Sequence, residues 1–189
     1  MQKANKQCGV NKKYKPDGRN VTPLFARSFR WGDTVMRDDS TNTTPMVAWE
    51  TVQVVAGIAD LLAYLHASGR RIILATSASI SDENQIRGAL RRGGLDHYFS
   101  RIYCFKNTSL SKGEAFYRYI LNDLNIPAYD ALIVGDSFEK DITIPNALGI
   151  FAIWFNPSSD ETHSGKLNVT VHTMPELREF FQSLDGSSP

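Results

Sequence analysis

Asp136 and Asp141 stand close together just after an apolar run that ends in Gly135. Two carboxylates on a tight turn leaving a strand suit a hard divalent cation such as Mg2+, which takes oxygen ligands and keeps several waters. Thr76 closes a second apolar run, RIILAT, and Ser77 follows it. A hydroxyl there, with backbone N–H groups at a helix-start turn, suits an anion. Lys112 adds a compact positive charge for a phosphate or for the carboxylates. Together these residues describe a pocket for phosphoryl transfer.

The stretch SFRWGDTVMRDD, residues 28–39, complicates this picture. It reads as a strand end running into a polar loop, the place where an α/β enzyme keeps its reactive carboxylate, yet the residue there is Arg30. An arginine is always protonated and offers no acceptor oxygen, so it cannot act as a nucleophile. Asp33 is a poor substitute: three residues of extended chain move a carboxylate by roughly 10 Å and turn it to the opposite strand face. Asp39 opens a D-x-T-x-T string over residues 39–43, but TVMRD before it cannot make a buried strand end, whereas PLFARSF before Arg30 is partly apolar. The carboxylate chemistry at Arg30 is therefore expected to be lost.

The elements that must position these residues follow from the apolar pattern. From about residue 21 short apolar runs alternate with amphipathic segments, the mark of βαβ units. Val54, Ile58, Leu61, Leu62 and Leu65 recur at helical spacing up to Ser68-Gly69, where glycine suits the left-handed cap. Ser81 is a candidate cap for a second helix with Ile86, Ala89 and Leu90 on one face, closing at Gly93-Gly94. RIYCF (101–105) reads as a third strand, and a third helix after Lys112 carries Phe116, Ile120 and Leu124. ALIVGD is the clearest strand. Pro145 places the next helix near Ile144, ending at Gly149; then come IFAIWF, a strand near 169–171 and a helix over 175–184. Strands this apolar are covered on both faces, which predicts a mainly parallel, Rossmann-like sheet in an α/β/α sandwich. In such sheets chemistry sits beyond the carboxyl ends of the strands.

Length and composition agree with one domain over 21–189: a chain of 189 residues is long enough to bury a full core. Residues 1–20 carry six basic side chains against one acid, a net of +5 that leaves the remainder at −4. With few apolar residues this tail is read as flexible and solubilising; a nucleic-acid arm would add aromatic or spaced arginine contacts, and Tyr14 alone is too little. No apolar run reaches the roughly 18 residues of a membrane span, and no secretory pattern opens the chain, so an intracellular, cytoplasmic location is expected. Cys8 and Cys104 form no disulfide framework. His66, His97, His163 and His172 lack ligand spacing and are expected in packing or surface roles.

In sequence order these motifs resemble the haloacid dehalogenase superfamily over roughly residues 24–180: ALIVGDSFEKD its fourth motif, IILAT its second, and Lys112 in LSKGEAF its third. SFRWGDT is similar to a DxGDT form of the first motif, with Arg30 at the nucleophile position, then Gly32, Asp33 and Thr34. The resemblance implies that an aspartate at position 30 would attack phosphorus to form an aspartyl phosphate. It also implies that Gly32 gives a backbone carbonyl to Mg2+, beside Asp136 and Asp141, and that Thr76, Ser77 and Lys112 bind phosphate. Residue 32 serves as acid/base in this family only when it is aspartate, so both side-chain roles of the first motif are unfilled. A guanidinium beside Asp136 would be a fixed cation near the metal position, which puts Mg2+ binding in question.

Two functions follow as expectations. One is an Mg2+-dependent phosphomonoesterase scaffold with absent or very weak activity; the other is a phosphate- or protein-binding pseudoenzyme. The spacing from Arg30 to Thr76 and from Thr76 to Lys112 leaves no room for a separate cap domain. The resemblance then implies an open pocket for a small or macromolecular phosphate, or a neighbouring subunit as lid. The loop over 37–50 is the candidate partial lid, with Trp49 as its contact residue or as a packed helix-start residue.

Overall fold

The computed structural model describes residues 24–27, 34–39 and 41–186, the first of these as backbone alone. The basic tail, Cys8 and the first-motif residues Arg30, Gly32 and Asp33 lie outside the described residues. Six strands form one sheet among those described: β1 Leu24–Arg27, β2 Ile72–Ala75, β3 Phe99–Tyr103, β4 Ala131–Gly135, β5 Phe151–Phe155 and β6 Asn168–Val171. Their order is β3-β2-β1-β4-β5-β6 and every pairing is parallel. The chain winds outward in one direction from β1 and in the other from β4. The crevice between β1 and β4 is thus the switch point where open α/β sheets hold their ligands.

Alternation along the strands builds the three layers. On β2, Ile72 and Leu74 face one core while Ile73 and Ala75 face the other. The first core takes Leu61, Leu62 and Leu65 of α1 (Ile58–Ala67), Ile86, Ala89 and Leu90 of α2 (Glu83–Arg92), and Leu177, Phe180 and Phe181 of α6 (Met174–Asp185). The second takes Phe116, Tyr117 and Ile120 of α4 (Glu114–Leu124), with Ile144 of α5 (Ile144–Ala147) packed on it. The expected α/β/α sandwich is the observed one. Among the described residues no helix is long and apolar enough to cross a membrane.

Local polar contacts correct several expected boundaries. Val54 lies outside α1, paired with Met36 in an isolated antiparallel bridge, and the helix starts only after Gly57 turns left-handed (φ 80). Asp82, rather than Ser81, caps α2: its carboxylate accepts the Gln85 N–H at 2.9 Å while the Gln85 side chain accepts the Asp82 N–H, a reciprocal capping box. The third strand is 99–103 instead of 101–105. Asn107 draws the chain off the sheet, its side chain accepting from the Cys104 N–H and donating to the Ile102 carbonyl, both at 2.8 Å, and the short helix α3 (Phe105–Thr108) starts there. Those bonds also occupy part of the exposed sheet edge. Finally, a six-residue π-helical turn, Phe138–Thr143, precedes α5 (Ile144–Ala147), which starts at the expected Ile144 and is stopped at the expected Gly149, where the chain turns left-handed (φ 83).

Candidate active site

Asp136 follows the last residue of β4, Thr76 follows β2, and Lys112 precedes α4, so all three sit at the carboxyl side of the sheet. The π-helical turn folds Asp141 back beneath Gly135 and buries it completely. A Cβ on Gly135 would come within 2.5 Å of the Asp141 carboxylate, so this turn closes only around glycine. Lys112 Nζ donates to Asp141 Oδ1 at 2.8 Å, with side-chain exposures of 2% and 0%. The same oxygen accepts the Tyr117 hydroxyl at 3.2 Å, and Oδ2 accepts the Ser137 N–H at 3.2 Å. Burial pushes the Lys112 ammonium below its usual range, and the Asp141 carboxylate beside it works in the opposite direction.

These contacts change what each expected residue can do. Asp141 and Lys112 come together as a buried ion pair. Asp136 is half-buried, and its backbone carbonyl accepts the Trp154 indole N–H at 2.8 Å. Thr76 is buried but not at a helix start, since α2 begins only at Glu83. Its own N–H is spent on the Tyr103 carbonyl at 2.8 Å and its hydroxyl accepts the Ala78 N–H at 3.1 Å. What Thr76 itself can offer an anion is therefore its hydroxyl proton and not its own amide. Ser77 is half-buried beside it. Thr34 is fully buried, and its Oγ1 has no hydrogen-bond partner among the described residues.

Asp39 is exposed, and its carboxylate accepts from the Thr41 N–H and hydroxyl, which hold it below the usual carboxylate range. It is a turn residue. Among the described residues no three His, Cys, Asp or Glu side chains are placed to hold a metal ion together. Asp136 and Asp141 are the carboxylates that would hold Mg2+, whose sites usually combine one or two carboxylates with waters and substrate oxygens, and Asp141 is also paired with Lys112. Tyr117 and Trp154 are the contacts that sequence reasoning missed. Both lie in apolar runs and read as core aromatics, and nothing in their spacing marks the hydroxyl or the indole N–H as site contacts.

A Rossmann-ordered α/β protein with a buried lysine–aspartate pair and a threonine at its strand ends is the class defined by this geometry. Residues 32–155 match the model of the haloacid dehalogenase-like hydrolase family, well over half of the chain, and the chain belongs to that family. It is 30% identical over 114 residues to the pyrimidine 5'-nucleotidase PynA of Streptococcus pneumoniae, a match covering 59% of this chain and 47% of that protein. The chain thus spans about half the length of this relative. Among solved structures, an uncharacterized protein from Listeria monocytogenes serotype 4b superposes with a TM-score of 0.71 at 24% identity, over 86% of this chain and 99% of that one. A haloacid dehalogenase-type phosphatase from Thermococcus onnurineus superposes with a TM-score of 0.57 at 24% identity, over 69% and 59%. These two likenesses concern the fold.

Proposed function

We propose that this chain is a capless, phosphate-binding member of its family whose phosphomonoesterase activity is absent or very weak because Arg30 replaces the first-motif aspartate. The observation that carries the reading is the buried Lys112–Asp141 pair. Lys112 and Asp141 balance each other, so the pair offers a phosphate no net positive charge, and a further cation favours anion binding. Arg30 is a resident cation for that task. Its planar fork suits carboxylate and phosphate oxygens, so in this reading it ion-pairs with Asp136 and takes over the charge of Mg2+. Thr76, Ser77 and Lys112 complete the anion site. Attack on phosphorus fails for want of an acceptor oxygen at position 30. The capless part of the reading is supported by the short connections: among the described residues, a 3-10 turn and α1 between Thr34 and β2, and α2, a 3-10 turn, β3 and α3 between Thr76 and Lys112.

A second reading, an active Mg2+-dependent hydrolase, is favoured by the likeness to a pyrimidine 5'-nucleotidase, which makes pyrimidine nucleoside monophosphates the first natural substrates to try. The test is hydrolysis of an aryl phosphate and of a pyrimidine nucleoside monophosphate, with and without Mg2+, by this chain and by Arg30→Asp. Turnover by Arg30→Asp alone is the expected result. Mg2+-dependent turnover by the unaltered chain that is lost in Asp136→Asn overturns the first reading in favour of the second.

A further inference from the structure

The segment expected to act as a partial lid is tied down at its two legs, at 35–37 and over 46–55. Its two legs, 35–39 and 41–55, are joined by the Arg37 N–H to Gln53 carbonyl bond at 2.8 Å and the Val55 N–H to Val35 carbonyl bond at 2.9 Å. Met36 and Met46 are fully buried in the core, and Trp49 packs against it with its indole N–H on the Thr44 carbonyl at 2.9 Å. The segment is seated on α2 through two glycines. A Cβ at Gly88 would lie 2.7 Å from Val47 Cγ2, and one at Gly93 would lie 2.8 Å from Val54 Cγ1. Glycine in a helix interior weakens the helix, so its use at position 88 points to the close approach it permits, while Gly93 is the C-cap of α2. Arg92, on the last turn of α2, donates to the carbonyls of Val47 (2.9 Å), Trp49 and Glu50 (2.8 Å).

We propose that this segment is a fixed strap instead of a lid, and that Arg92 is a positioning residue for the candidate site, acting through the strap on Thr34. The Val35–Val55 bond sets the chain one residue beyond Thr34, whose buried hydroxyl has no hydrogen-bond partner among the described residues and so depends on the strap for its place. Arg92 does this from α2 without touching the site. A single guanidinium can span three carbonyls because its five donors are arranged in a rigid fork, whereas a lysine ammonium is a point charge on a flexible stem. The link to Thr34 as a site residue rests on the phosphate-binding reading.

Amide hydrogen exchange, measured with and without saturating inorganic phosphate, tests the strap. A fixed strap exchanges at the same rate in both conditions; a lid gains protection when phosphate is added, and that gain overturns the proposal. In Arg92→Ala and Arg92→Lys, exchange of strap amides over 46–55 is expected to rise tenfold or more while β4 and α4 are unchanged. Phosphate affinity should fall in the same two variants. Unchanged strap exchange in Arg92→Ala, or acceleration of the strap and β4 together, also overturns the proposal. If phosphate binds nowhere, the phosphate-binding reading fails, and the exchange rates of the Arg92 variants still decide the strap.

Discussion

Replacing Lys112 by methionine isolates what burial does to an ion pair. Lys112–Asp141 and Arg118–Glu114 have the same nitrogen–oxygen distance, 2.8 Å, but the first pair is 2% and 0% exposed and the second 61% and 63%. Lys112→Met preserves most of the apolar stem and leaves the Asp141 carboxylate buried with the Tyr117 hydroxyl and the Ser137 N–H as its described partners. Removing one partner of such a pair costs about 3–5 kcal/mol, because the remaining charge stays out of water. Removing the exposed partner with Arg118→Ala costs about 0.3–0.5 kcal/mol. Urea denaturation reads both from the midpoint at constant slope. For a chain of this size the Lys112→Met loss corresponds to a Tm lower by about 10 °C. Adding Asp141→Asn to Lys112→Met removes the stranded charge and should recover part of the loss, a departure from additivity of about 0.5–3 kcal/mol. A loss under about 1 kcal/mol for Lys112→Met, on the scale of an exposed pair, refutes the reasoning.

Gly88→Ala pits helix propensity against packing. It favours α2 by about 1 kcal/mol but drives a methyl into stiff, β-branched Val47, at a cost of about 1–3 kcal/mol, so a lower urea midpoint is expected and Val47→Ala should restore it; a Gly88→Ala protein that is simply more stable contradicts the strap contact. At the other end of the sheet, buried Arg70 holds the Asp185 carboxylate through both terminal nitrogens, and Tyr64 donates to the same group. Burial works to raise the Asp185 carboxyl, but the bonds from Arg70 and Tyr64 outweigh it and hold it below its ordinary 3.8. A carboxyl so depressed contributes fully above pH 3.8 and loses its contribution as pH falls below that value. Arg70→Met is expected to cost about 1–3 kcal/mol near neutral pH and to flatten the acid limb of stability below pH 4; parallel acid limbs for the two proteins would show that the carboxyl is not held this way.

The legible part of the fold was carried by local signals. Apolar runs such as ALIVG and FAIWF became β4 and β5 because a parallel strand is covered on both faces, so its composition alone marks it. Element ends were less legible. Asp82 and Ser81 are both good caps, and what decides between them is the reciprocal bond with Gln85. Cys104 and Phe105 continue an apolar run, yet Asn107 pulls them into α3. At the candidate site the motif spacings pointed to Thr76, Lys112, Asp136 and Asp141, but not to which of their atoms are already committed. The loop over 37–50, with three threonines and two aspartates, read as a partial lid; its seat on α2 could not be read from its own residues.

Sequence by itself determined the α/β order of the chain, its parallel sheet and the strand ends at which chemistry could lie, because periodicity and turn residues are set within a few positions. Tertiary structure alone decided that Asp141 serves Lys112 from 29 residues away, that the Thr76 amide belongs to β3, and that Arg92 binds a segment 42 to 45 residues before it. The physical reason is that a polar side chain can bond any group that packing brings within about 3 Å. A one-dimensional pattern reports which face a residue occupies, but not which distant partner the fold will place against it.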